Sequence, residues 1–345
     1  MWPYWVVYLL PAIAALLLDG RRKQLPHPWW AMGALLVLFV GYRHRVGGDW
    51  FNYIDHLARV WRVGIFDPVE GGDPGYVYVN RIVSTLGGDI YDVNLVAAMI
   101  FVFGLMIFCR SLPRPWLALA VAIPYIVVVV GMGYTRQAIA LGLIMWGIVY
   151  LEKGKLVHYI AFVSAATLFH KTAVIMIPLG IFLQRRGWVL RVVAIGLVGL
   201  GLWNAFLVES QETLWKNYVV AQMQSEGARI RVIMNALPAL LLILQWKKWR
   251  ALFANAQLWL WMSIAALACI PLVGYASTAV DRIALYLTPL QIVVYSRLPV
   301  LWQRSIQPAL VTLGVVMAYG LVLFVWLNYA SHAPYWLPYR HAWFE

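Results

Sequence analysis

The chain is a procession of apolar runs joined by short charged connections, with no long polar stretch to separate them into domains. The runs fall roughly at 2–18, 28–42, 92–109, 115–133, 136–151, 157–169, 172–184, 189–207, 231–246, 255–275, 282–297 and 306–327. A solvent without hydrogen-bonding partners admits only helices or closed barrels, and runs of this length and uniformity predict helices. The composition agrees, at 63% hydrophobic and 12% charged, where a soluble domain is nearer roughly half apolar and a quarter charged. The mean hydropathy is +0.74. The expectation is a single all-α polytopic membrane domain, residues 1–345, with about twelve transmembrane helices. Several runs are shorter than the roughly 20 residues of an untilted crossing. The pair 157–169 and 172–184 is short enough to form two half-length helices meeting at His170-Lys171. The first segment lacks a basic leader and a small-residue cleavage site, so it reads as the first span and not as a signal peptide. Cys109 and Cys269 both sit inside apolar runs, and no disulfide is expected.

The net charge of +13 is topological. Alternate connections carry Arg21, Arg22, Lys23, Arg110, Arg114, Lys153, Lys155, Arg185, Arg186, Arg191, Lys247, Lys248, Arg250, Arg297 and Arg304, against only Asp19 and Glu152. The opposite side balances to zero. Lys and Arg accumulate on the cytoplasmic side, which predicts that both termini face the periplasm. No nucleic-acid surface is needed to explain the charge.

The outer side also holds the long connections, 43–91 and 208–230, and the tail 328–345. In the first of these, Phe51, Ile54, Leu57 and Trp61 recur at helical spacing and predict a helix lying in the membrane interface. The stretch "DPGYVYVNRIVSTLGG" predicts a second helix, capped by Asp73, opened by Pro74 and ended by Gly87-Gly88. The outer aromatics Trp50, Tyr53, Trp61, Tyr76, Tyr78, Tyr335, Trp336, Tyr339 and Trp343 suit either sugar platforms or interfacial anchoring.

Four helix starts on that side share one anomaly. Arg136, Lys171, the pair Arg229 and Arg231, and Arg282 each place a cation at an outward helix N-terminus. The macrodipole disfavours this by about 0.3–1 kcal/mol apiece, and outer segments are ordinarily poor in Lys and Arg. An anion that offsets the whole set is the economical explanation, because a helix N-terminus beside Arg or Lys is a good phosphate site. A lipid-linked pyrophosphate or an anionic phospholipid would supply it.

Several segments resemble the EpsG-type family of membrane proteins. "YRHRVGGDWFNY" looks like its R-x-x-x-G-x-D-[YW]-x-x-Y signature after the second span, and "DPGYVYVNRI" is similar to its [DE]-P-G-[YF] helix. "TRQAIALGLIMWGIVYLEKGK", "LFHKTAVIMIPL" and "DRIALYLTPL" resemble its Arg-Gln helix, its Phe-His-Lys element and its late Arg-x-x-x-Tyr segment. The tail "YWLPYRHAWFE" matches the family's aromatic Pro-Tyr ending. Gly48, where the family more often has Thr, and the extra Arg45 depart from the pattern. The resemblance implies a Wzy-like polymerase of bacterial exopolysaccharide or O-antigen in the inner membrane, with a GT-C-like bundle as one option for its arrangement. Such proteins join oligosaccharide repeat units carried on undecaprenyl pyrophosphate at the periplasmic face, in some cases beside a chain-length-regulating co-polymerase.

That reaction needs cations for the leaving pyrophosphate and a base for the acceptor hydroxyl. The candidates for pyrophosphate are Arg43, Arg136 and Arg282, followed by Lys171 and Arg229. Asp49, placed by Gly47-Gly48, and His170 are the candidate bases; Asp73 is expected chiefly as a cap. Gln137, Trp50, Tyr53, Asp281 and Tyr286 are candidate substrate contacts. No nucleotide-binding loop, paired-carboxylate metal motif or close His cluster is present, and no cofactor is expected. A flippase for the same lipid-linked sugar, or a membrane acyltransferase acting on the polysaccharide, are the competing classes. The near absence of charge inside the runs argues against the first, and the short cytoplasmic connections argue against the second.

Overall fold

The computed structural model describes residues 1–19, 26–62, 72–183, 192–193, 195–197, 199–201 and 227–345. The described chain is helical with no strands, a helical membrane protein. Its elements are α1 (Trp2–Leu17), α2 (Pro26–Gly41), α3 (Trp50–Trp61), α4 (Pro74–Thr85), α5 (Ile90–Arg110) and α6 (Pro115–Ala122), which widens into π-helical turns over Ile123–Gly131. There follow α7 (Thr135–Glu152), α8 (Leu156–Phe169), a 3-10 segment (Lys171–Leu183), α9 (Ala228–Leu244), α10 (Trp246–Leu252), α11 (Ala256–Leu272), α12 (Ser277–Leu287), α13 (Pro289–Leu301) and α14 (Pro308–Tyr329). The expected run 189–207 and loop 208–230 lie mostly outside the described residues, as do Arg21, Arg22, Lys23, Arg185, Arg186 and Arg191.

Two of these helices, α5 and α14, are long and apolar enough to cross a membrane unaided. The count rises to four if the bent pairs α9–α10 (81°) and α12–α13 (42°) are each one span. The bend in the second pair falls at Thr288-Pro289, where proline's missing N–H and ring crowding end a helix. The half-length pair expected around His170-Lys171 is present as α8 and the 3-10 segment.

The core sits on α6 and α7, whose side chains are buried on nearly every face, and on α5, which leaves Met99 and Phe103 exposed on one side. Helices α5 and α7 touch backbone to backbone: a Cβ on Gly104 would come within 2.1 Å of the Gly142 carbonyl oxygen. Small residues at such a crossing permit close approach where solvent supplies no hydrophobic drive between helices. The outer helices turn apolar side chains outward, as with Leu313, Met317, Leu321 and Phe324 of α14. That is the polarity expected where lipid is the solvent.

Helices α3 and α4 are each 12 residues long, too short for a crossing. As anticipated, α3 is two-faced. Phe51, Ile54 and Trp61 are exposed on one face, while Asn52, Asp55, His56 and Arg59 share the other. Helix α5 opens on a capping box, in which Asp89 accepts from the Tyr91 N–H at 2.8 Å and Asp92 accepts from the Asp89 N–H at 3.0 Å.

The aromatic tail is a structural strap. The Tyr335 carbonyl accepts from the Gly47 N–H (2.9 Å), the Arg340 carbonyl from the His44 N–H (3.0 Å), and the Tyr42 carbonyl from the Ala342 N–H (2.8 Å). Trp336 is buried, donating its indole N–H to the Val128 carbonyl at 2.8 Å, and the Tyr339 hydroxyl donates to the Phe39 carbonyl at 2.9 Å. These two rings are therefore packing groups, while Tyr335 and Trp343 remain exposed.

Strap, loop 42–49 and the end of the π-helical turns meet at Gly47. Its φ is +107°, and a Cβ there would lie 2.3 Å from the Met132 carbonyl oxygen. Gly48 has no atom within 4 Å of such a Cβ. Gly47→Ala is therefore expected to lower stability by about 1–3 kcal/mol from overpacking alone, and Gly48→Ala to stay within about 0.5 kcal/mol. Thermal unfolding in detergent distinguishes the two; equal midpoints would contradict the close approach.

Candidate functional site

A cavity of about 570 Å³ opens between the polar face of α3 and the start of α7, lined by Asp49, Asn52, Tyr53, Asp55, His56, Arg59, Tyr76 and Arg136. Its size lies within the roughly 300–1,000 Å³ range of ligand pockets. Three junctions supply its walls and floor. Loop 42–49 sets Asp49 immediately before α3, Tyr134-Thr135 starts α7 and presents Arg136, and Asp73 precedes α4. Gly75 packs against the end of α8, where a Cβ would sit 3.1 Å from the Leu168 carbonyl oxygen. That contact draws Asp73 toward His170.

Asp73 occupies the cap position the sequence predicts, but its carboxylate makes no cap hydrogen bond. It accepts instead from the Arg136 guanidinium at 2.8 Å. The His170 Nδ1 lies 3.9 Å from the same oxygen. The Gln137 side-chain N–H donates to His170 Nε2 at 3.1 Å, which leaves the imidazole proton on Nδ1, facing Asp73. Arg136, Gln137, Asp73 and His170 are thus one assembly from three separate parts of the chain.

The two carboxylates are pushed in opposite directions. Burial raises the Asp49 carboxyl above its ordinary range; a hydrogen bond from Asn52 (3.2 Å) and the charges of Arg136 and Arg282 offset only part of this. Burial alone would also raise Asp73, but His170, Arg136 and Lys171 outweigh it and hold that carboxyl below its usual range. Opposed shifts in neighbouring carboxylates are a way of separating acid–base roles. Asp49 suits proton transfer, and Asp73 suits a permanent anion that holds Arg136. Burial, with Arg136 and Arg59 nearby, also brings the His56 imidazole down to about 4, so that it is neutral at ordinary pH.

The predicted site residues divide. Asp49, Tyr53 and Arg136 face the cavity; Gln137, His170, Lys171 and Arg282 are drawn to the same end of the bundle through their coupling to Arg136, Asp73 and Asp49. Arg43 does not face it. It is 1% exposed and fully engaged, donating to the carbonyls of Val46 and Val40 (3.3 and 2.7 Å), to Asn94 Oδ1 (3.1 Å) and to Thr135 Oγ1 (2.8 Å). Trp50 is buried beside it, 5.8 Å from the guanidinium, and is no sugar platform. Asp281 and Arg282 both lie within α12, which begins five residues earlier than expected at Ser277, so Arg282 is not a helix-start cation; Asp281 is clamped by Arg231 through two hydrogen bonds of 2.5 and 2.7 Å. Tyr286 is fully buried and Arg229 is exposed at the start of α9. The sequence reading passed over Asn52, His56 and Arg59. Their spacing of three and four residues along α3 was the available signal.

At the opposite end of the bundle both expected cytoplasmic acids have fold roles. Asp19 accepts the Trp116 and Leu117 N–H groups (3.3 and 2.9 Å) at the start of α6. Glu152 accepts from the Trp259 indole (2.8 Å) and lies 3.4 Å from Arg297, itself enclosed by Trp249, Phe253 and Trp259. Among the described residues no group of three His, Cys, Asp or Glu is arranged to hold a metal ion.

The family model described as "EpsG family" matches residues 29–341, which takes in every junction of the cavity. No curated protein and no solved structure matches the chain.

Proposed function

The chain belongs to the EpsG family, and from that premise we propose that the cavity between α3 and α7 is the active site of an exopolysaccharide polymerase acting on lipid-pyrophosphate-linked oligosaccharides. The observation that carries the reading is the gathering of Arg136, Lys171 and Arg282 around a raised carboxyl, Asp49, and a lowered one, Asp73. In the proposed reaction Asp49 takes the proton from the acceptor's hydroxyl, whose oxygen attacks the anomeric carbon of the growing chain. The bond to the lipid pyrophosphate breaks as Arg136, Arg282 and Lys171 offset the charge developing on it. Asp73 and Gln137 position Arg136 and His170, and Tyr53 floors the cavity.

His170 is the weaker base candidate, because it is only 9% exposed and held by Gln137. The proposed carrier is undecaprenyl pyrophosphate, and the product an exopolysaccharide or O-antigen whose length a co-polymerase regulates. The proposed topology has about twelve crossings, both termini and the cavity on the periplasmic side of the bacterial inner membrane. Lys153, Lys155, Lys247 and Lys248, at the end away from the cavity, support that orientation.

Purified protein in nanodiscs, given its lipid-pyrophosphate repeat unit without any nucleotide sugar, is expected to produce a ladder of glycan lengths on a gel. A folded preparation that leaves the substrate as single units would refute the polymerase reading.

A further inference from the structure

Resting on that reading, we infer that the polar face of α3 is the acceptor subsite, a groove for hydroxyl-rich sugar rings that leads a hydroxyl to Asp49. Asp49, Asn52, His56 and Arg59 all face the cavity. Over ten residues at about 1.5 Å rise they extend about 15 Å, long enough for more than one ring.

The ligand class follows from the lining. Asp49 and Asp55 place two carboxylates on this wall against the single cation Arg59, a balance that disfavours a diphosphate and offers acceptors to sugar hydroxyls. The diphosphate is thereby directed to the other wall, where Arg136 stands. His56 Nε2 is shielded from solvent and, among the described residues, has no hydrogen-bond partner. A buried polar atom left unpaired carries a cost of about 1–3 kcal/mol, and a turn of the His56 ring that brings Nε2 to a ligand hydroxyl in the cavity would relieve it. The imidazole is uncharged at neutral pH, which fits a neutral partner. The rings of Tyr53 and Tyr76, packed edge to face with centroids 5.5 Å apart, close the bottom of the cavity between its two walls. An aliphatic lipid tail would find no such polar partners wanted on its surface.

The test separates the two walls of the cavity. Wild-type protein in nanodiscs is probed by saturation-transfer NMR with the lipid-free oligosaccharide of one repeat unit, and separately with undecaprenyl pyrophosphate. Asn52→Ala/His56→Ala is expected to weaken oligosaccharide binding at least tenfold while pyrophosphate binding stays within twofold, and Arg136→Ala/Arg282→Ala to do the reverse. Asn52 is exposed, so Asn52→Ala alone serves as a variant with no folding burden and should show part of the loss. If the oligosaccharide binds wild type and the α3 variants equally, the acceptor assignment is wrong and the polymerase reading stands. If wild type binds neither probe, both fall.

Discussion

Arg136→Ala and Arg282→Ala each lower long-chain glycan output per folded protein by about 10²–10³-fold, the scale of removing one preorganised charge-stabilising donor. Arg136 sits at the start of α7 and Arg282 in the second turn of α12, and both side chains are partly exposed, so their removal leaves no cavity in the core. Arg136 carries the larger effect. Its loss also takes the nearest cation from the Asp73 carboxylate, which is buried and accepts from it at 2.8 Å, and weakening the pairing of a buried charge is costly. The pair Arg136→Ala/Asp73→Asn is therefore expected to recover stability relative to Arg136→Ala while remaining inactive. Chain-length profiles on gels and melting midpoints measure the two quantities independently. Wild-type glycan length in both single variants would remove the cations from the mechanism.

Asp49→Asn is expected to reduce turnover by about 10²–10⁴-fold, the range of a general base, and to abolish the acid limb of the pH profile. The sign follows from the environment. Burial raises the Asp49 carboxyl, so the deprotonated form that accepts a proton is lost as pH falls through a value above the ordinary carboxylate pKa of about 3.9. Turnover therefore declines at a higher pH than an exposed aspartate would dictate. Arg136 and Arg282 pull in the opposite direction. Residual activity in either Arg variant should consequently show its acid limb displaced to still higher pH. An unchanged limb in Asp49→Asn would transfer the role to another group, with His170 next.

The helices were legible because hydropathy is a local property: α2, α5, α7 and α14 begin and end within a few residues of the apolar runs. The short helices α3 and α4 were legible from period and caps. The site was legible only in part, because a cation beside a helix end in sequence does not say what it faces. Arg43 and Arg136 look alike on paper. The structure turns the first inward onto Asn94 and Thr135, and the second onto Asp73 beside an open cavity. Arg231, placed with Arg229 as a single anomaly, is matched to Asp281 some fifty residues later, a pairing no local pattern encodes. Asp73 was read as a cap because sequence specifies backbone position well and side-chain direction poorly.

The burial of Arg43 has a consequence for the order of assembly. Its guanidinium is satisfied by the Val40 carbonyl at the end of α2, the Val46 carbonyl of its own loop and side chains of α5 and α7, segments synthesised some fifty and ninety residues later. A buried cation without its partners is costly, so the turn around Arg43, and with it the loop that carries Asp49, closes only once α5 and α7 have packed against it.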